Sequence, residues 1–185
     1  AWSGEPPYPE PDYVNPDSGF AKPAIQCSVA VKAVNPIWSA DGGTLAYTGA
    51  NATSDRAFTI NTGKTATINT SNDLTLAGAT GTATNGALTK SGSGALILAG
   101  ANTYTGATTV TGGTLSVTGN IAQCTGVNVS DATATFEAAS SQVVKSLTVT
   151  AGQARVTTPA ADVQKSVLVV GDGTATTSQL TLTGG

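Results

Sequence analysis

A short cassette, Leu-x-Leu/Val followed by glycine within one to three residues, constrains this chain more than any other feature. It recurs as Leu74-Thr-Leu76-Ala-Gly78, Leu96-Ile-Leu98-Ala-Gly100 and Leu115-Ser-Val117-Thr-Gly119. It returns as Leu147-Thr-Val149-Thr-Ala-Gly152, Leu168-Val-Val170-Gly171 and Leu180-Thr-Leu182-Thr-Gly184. Apolar residues at every second position, closed by glycine, make half-buried strands rather than helices. The leading leucines are separated by 22, 19, 32, 21 and 12 residues. Three of those spacings lie near twenty, in the range of one solenoid coil. The other two suggest a longer loop between Gly119 and Val143 and a tighter half-coil at the end.

The expected fold is therefore all-β: a parallel β-helix or solenoid, with a β-sandwich as the alternative. Coils would stack about 4.8 Å apart with alternate residues turned inward. Composition agrees. Only 10% of residues are charged while 39% are apolar, and 32 are threonine. Threonine suits a pleated surface because its branched Cβ packs while its hydroxyl stays wet. Leu, Val and Ile should fill the interior, with Thr, Ser and Asn outside. Gly and Asn at the corners supply left-handed backbone.

Residues 1–37 differ from the rest, and the solenoid is assigned to residues 38–185. Six of the eight prolines lie in the first 23 positions. Such density excludes helix and central strand and favours an extended polyproline-like arm. Trp2, Tyr8, Tyr13 and Phe20 lie in the same stretch. Their rings suit docking, on the chain's own body or on a neighbouring copy. Residues 25–34 alternate well enough to form a strand holding Cys27, until Asn35-Pro36 breaks it. Cys27 and Cys124 are the two cysteines, 97 positions apart. In a secreted chain they read as a disulfide; buried free thiols or bonds between subunits are the alternatives.

The stretch from Leu88 to Val117 holds three alternating runs, Ala95–Leu98, Thr108–Thr111 and Thr114–Val117. Leu88, Lys90, Gly92, Gly94, Leu96, Leu98, Gly100, Asn102, Tyr104, Gly106, Thr108, Val110, Gly113, Leu115 and Val117 carry a specific pattern. At these offsets the segment resembles the autotransporter-associated β-strand repeat of secreted bacterial surface proteins. That resemblance implies an extracellular address and a β-helical stalk that supports secretion and surface display. It implies no reaction.

Direct evidence of chemistry is sparse. The chain has no His, so the usual general base and the Ser-His arrangement are absent. Its eleven carboxylates are scattered, though stacking could bring a pair together, for example Asp55 and Asp73. Gly171-Asp172-Gly173 and Ser91-Gly92-Ser93-Gly94 are Gly-rich but open no helix, so they read as turns rather than phosphate cradles. No catalytic residue, metal site or cofactor is expected. A net charge of −3 argues against nucleic acid, and no apolar run is long enough for a membrane helix.

The absence of Met suggests a mature N-terminus left by signal-peptide cleavage. The last strand cassette, with Leu180 and Leu182, is followed by no polar cap, and an open solenoid edge templates another chain. With the aromatic arm, it supports a secreted subunit that polymerises head to tail into an extracellular filament, sheath or fibre. One alternative is an adhesin or passenger-type binder of surface glycans or neighbouring cells. Another is an ice-binding solenoid using Thr65, Thr67, Thr82, Thr84, Thr133, Thr135, Thr148 and Thr150, whose spacing is irregular.

Overall fold

The computed structural model describes residues 38–80, 84–157, 168–171 and 179–182. In chain order its strands are β1 (Trp38–Ala40), β2 (Thr44–Tyr47), β3 (Ala52–Ser54), β4 (Phe58–Ile60), β5 (Thr65–Thr70), β6 (Leu74–Leu76), β7 (Ala87–Ser91) and β8 (Ala95–Leu98). They continue as β9 (Thr108–Val110), β10 (Thr114–Val117), β11 (Val127–Ala138), β12 (Gln142–Val144), β13 (Ser146–Val156), β14 (Leu168–Val170) and β15 (Gln179–Leu182). No described residue is helical.

Every pair among these strands is parallel. A β-sandwich needs antiparallel neighbours, so the solenoid is the fold. The first ladder runs β2-β5-β7-β9, then the start of β11, the start of β13, and β15. The second runs β3-β6-β8-β10, then the end of β11 and the end of β13. A third, shorter face carries the pairs β1-β4 and β12-β14 and a single bridge, Ala101 to Asn120.

The ladders explain the uneven cassette spacing. Leu74, Leu96 and Leu115 are true successive rungs of the second ladder. The next rung is Phe136, which sits opposite Leu115 without belonging to a Leu-x-Val cassette. Leu147 stands on the first ladder, opposite Val127 and Leu180, and Leu168 stands on the third face. The expected longer loop between Gly119 and Val143 is thus a further coil containing β11. The leucine series had jumped from one face to another.

Inward positions close the core. Leu88, Leu96, Leu98, Val110, Leu115, Val117, Val127, Val129 and Phe136 are fully buried. Each such side chain contributes about 1.5–3 kcal/mol by leaving water. The interior is less apolar than the composition suggested. Thr70, Lys90, Asn102, Thr108 and Gln142 are also buried. Thr108 is the inward neighbour of Leu88 and Val127 on the first ladder.

Glycine marks one corner where coils touch through backbone alone. Gly78, Gly100 and Gly119 stack, and a methyl group on Gly100 would overlap the Gly78 carbonyl. Gly119 meets the Gly100 carbonyl in the same way. This glycine requirement comes from stacking distance rather than from a special φ.

Candidate functional site

The chain turns from the first ladder to the second through corners of unequal length. After β7 the corner uses Gly92-Ser93-Gly94, and after β9 it uses Thr111-Gly112-Gly113. One coil further on, β11 keeps strand pairing on both sides of a register shift between Val129 and Thr135. Residues 130–133 are exposed there. Asp131 folds this bulge on itself: its Oδ1 accepts the Thr133 N–H at 2.8 Å and the Thr133 hydroxyl at 2.6 Å. Those two hydrogen bonds hold the Asp131 carboxyl below its ordinary pKa.

The projecting bulge overhangs the two glycine-rich corners and forms a groove of about 390 Å³. Gly92, Ser93, Thr111, Gly112 and Gly113 line one side, Asp131 and Thr133 the other. Gly92 sits at φ +80°, a left-handed conformation that disfavours other residues.

Beneath the floor lies Lys90. Its inward column partners on the first ladder are Ile68 and Val110, both fully buried like itself. The ammonium donates to the carbonyls of Ser91 at 2.6 Å, Gly92 at 3.0 Å and Gly112 at 3.0 Å. Three donors meet three acceptors, and they join consecutive corners from inside. Burial still lowers the Lys90 pKa to about 8.

A second buried polar group lies at the other end of β9. The Tyr104 and Thr108 hydroxyls are 2.9 Å apart, and Cys124 is fully buried. Burial is the main cause raising the pKa of both the Tyr104 phenol and the Cys124 thiol. A buried thiol of raised pKa is a poor nucleophile. Cys124 is a free thiol in the structure, and Cys27 lies outside the described residues, as does the expected pair they would form.

Other sequence candidates are placed as follows. Trp2, Tyr8, Tyr13 and Phe20 lie outside the described residues. Leu180 and Leu182 pair through their backbones with Leu147 and Val149, while their side chains are outside the description. Asp73 does not stack on Asp55. Its carboxylate instead accepts from Asn51 Nδ2 at 3.3 Å and from the Ala95 N–H at 3.1 Å. Among the described residues no group of three or more His, Cys, Asp or Glu is arranged to hold a metal ion.

The repeat residues trace more than one full coil. Leu88 and Thr108 are opposite each other, as are Leu96 and Leu115. Between them Gly92, Gly94, Gly100, Gly106 and Gly113 hold corners, while Asn102 and Tyr104 turn inward. The Asn102 amide donates to the Gly100 carbonyl at 2.8 Å.

A threonine column broken by one Asn does exist, and the Thr-x-Thr pattern pointed to only part of it. Thr44, Thr67, Thr89, Thr109, Asn128, Thr148 and Thr181 occupy one register line of the first ladder. Thr67 and Thr148 were among the sequence candidates. Thr133 belongs to the Asp131 bulge instead, and Thr82 lies outside the described residues.

Sequence reasoning missed the Lys90 cage and the Asp131 overhang. A signal for Lys90 was available, because alternation from Leu88 already places it inward.

The passenger-associated-transport-repeat family model matches residues 88–117. A curated relative, the adhesin BmaC autotransporter of Brucella suis biovar 1 (strain 1330), is 40% identical over 75 residues. That match spans 40% of this chain and 2% of the adhesin's length. No solved structure matches the chain. Residues 88–117, about a sixth of the chain, are thus similar to the autotransporter-associated repeat.

Proposed function

We propose that the chain is an adhesin-type passenger segment, secreted and displayed on a bacterial surface, with a non-catalytic role. One observation carries this reading. The matched repeat forms the central coil of a continuous parallel ladder, in which each rung holds the next in register. Such a rod presents corners and faces at fixed positions, as a surface-display scaffold requires. The relative named an adhesin supports the same role.

The adhesin-type reading is preferred to head-to-tail filament formation. The name of the curated relative points to adhesion rather than to a polymer. The test is labelling of intact producing cells with antibody raised against the purified chain, followed by competition of their adhesion with that chain. Surface labelling with loss of adhesion is the expected result. Labelling only after permeabilisation would overturn the proposal.

The threonine column favours a second reading, binding to a regular lattice such as ice. The hydroxyls of Thr44, Thr67, Thr89 and Thr109 repeat at the inter-strand distance of about 4.8 Å on an uncharged line that Asn128 then interrupts. Thermal hysteresis abolished by Thr89→Lys would support it; no hysteresis in the unaltered chain would dismiss it.

A further inference from the structure

We propose that the groove under the Asp131 bulge binds a neutral sugar residue of a surface glycan, an inference that rests on the adhesin-type reading. The groove is shallow and largely open to solvent, about 390 Å³, so it would seat a sugar ring without enclosing it. Its charge arrangement selects the ligand. The floor carbonyls of Gly92 and Gly112 already accept from the Lys90 ammonium, so they form no free cage for a metal ion. The buried ammonium and the exposed Asp131 carboxylate offset each other, so the groove carries no net charge to draw an ion. A neutral, polar ligand suits both.

The hydrogen-bonding inventory names its chemistry. Asp131 Oδ1 is engaged by Thr133, and the carboxylate retains acceptor capacity on Oδ2. The Thr111 hydroxyl donates to the Lys90 carbonyl at 3.1 Å, leaving its lone pairs to accept. The ligand must therefore supply donors, as the neighbouring hydroxyls of a sugar ring do. No aromatic ring lines the groove, so affinity at one site is weak, with a Kd on the order of 1 mM. Useful adhesion would come from many copies on one cell.

Gly112 adds an independent argument. A methyl group there would lie 3.4 Å from the Gly92 nitrogen and oxygen, an ordinary contact, and Gly112 does not have a positive φ. Coil stacking therefore tolerates alanine at Gly112, in contrast to Gly113, where a methyl would overlap the Gly92 and Gly94 carbonyls. The missing side chain at Gly112 keeps the floor of the groove open.

The experiment is two-dimensional NMR of the full chain titrated with lactose, maltose and cellobiose, with sialyllactose and calcium chloride as charged counterparts. Shifts confined to Ser93, Thr111–Gly113 and Asp131–Thr133 are expected with at least one neutral sugar. Asp131→Asn, whose Oδ1 still accepts from Thr133, and Gly112→Ala should each weaken that response fivefold or more, with their remaining spectra unchanged. Equal binding by both variants, shifts centred elsewhere, or a response only to sialyllactose or calcium would overturn the site. If the unaltered chain competes for cell adhesion yet responds to no neutral sugar, the groove assignment falls and the adhesin-type reading stands. A neutral-sugar response at the groove without competition for adhesion would retain the site and sink the adhesin-type reading.

Discussion

Lys90 shares an inward column with Ile68 and Val110, positions that otherwise hold aliphatic side chains. Removing an ammonium from water is costly, and three carbonyl partners offset only part of that cost. The depressed pKa records the remainder. Lys90→Ala removes the donor from three carbonyls and leaves a cavity, so it should lose about 2–4 kcal/mol in urea denaturation. The pH dependence has a definite sign. A lysine whose pKa falls from 10.5 unfolded to about 8 folded binds fewer protons in the native state over that interval. Its contribution therefore makes stability rise from pH 8 to 10.5. Cys124 and Tyr104 oppose this above their ordinary values of 9.0 and 10.0, because burial keeps both protonated in the fold. The Lys90 contribution is isolated by subtraction: wild type should gain stability relative to Lys90→Met as pH rises through 8 to 10.5. Parallel curves for the two proteins would refute the assignment.

At the scale of the element, the corners are stricter than the strands. Gly100→Ala places a methyl group against the Gly78 carbonyl, and neither backbone can move without breaking ladder bonds. It should cost at least about 3 kcal/mol, more than Gly112→Ala, which meets ordinary contacts. Paired thermal melts of the two variants check the order. The same elements show what could be read in the chain. Alternation in Leu96-Ile97-Leu98 and Leu115-Ser116-Val117 was enough to define strands, and a spacing near twenty was enough to define coils. The face was not legible, because Leu74-Thr-Leu76 and Leu147-Thr-Val149 look alike while lying on different ladders. Phe136 was hidden for the converse reason: it fills a leucine rung without the leucine signature. The Asp131–Thr133 overhang resembled ordinary Thr-x-Thr surface strand, since its protrusion depends on corner lengths in neighbouring coils rather than on its own residues.

The whole molecule is close to one-dimensional. Described strands pair with rungs before and after, so cooperativity passes along the rod through nearest neighbours. Leu115 lies at the centre of this path, between Leu96 on one side and Phe136 on the other, and it is fully buried. Leu115→Ala should weaken that rung by about 2–5 kcal/mol, which is comparable with the stability of a whole domain. The loss would not spread evenly. Coils on either side keep their own interfaces, so the junction becomes the weakest link and the two halves uncouple. Urea unfolding is expected to change from one transition in the wild type to two in the variant. Protection from hydrogen exchange should fall first in β8, β10 and the end of β11, while β2 and β5 retain theirs. An unchanged single transition with uniformly reduced protection would mean that the rod folds as one unit, and that coupling extends well beyond adjacent coils.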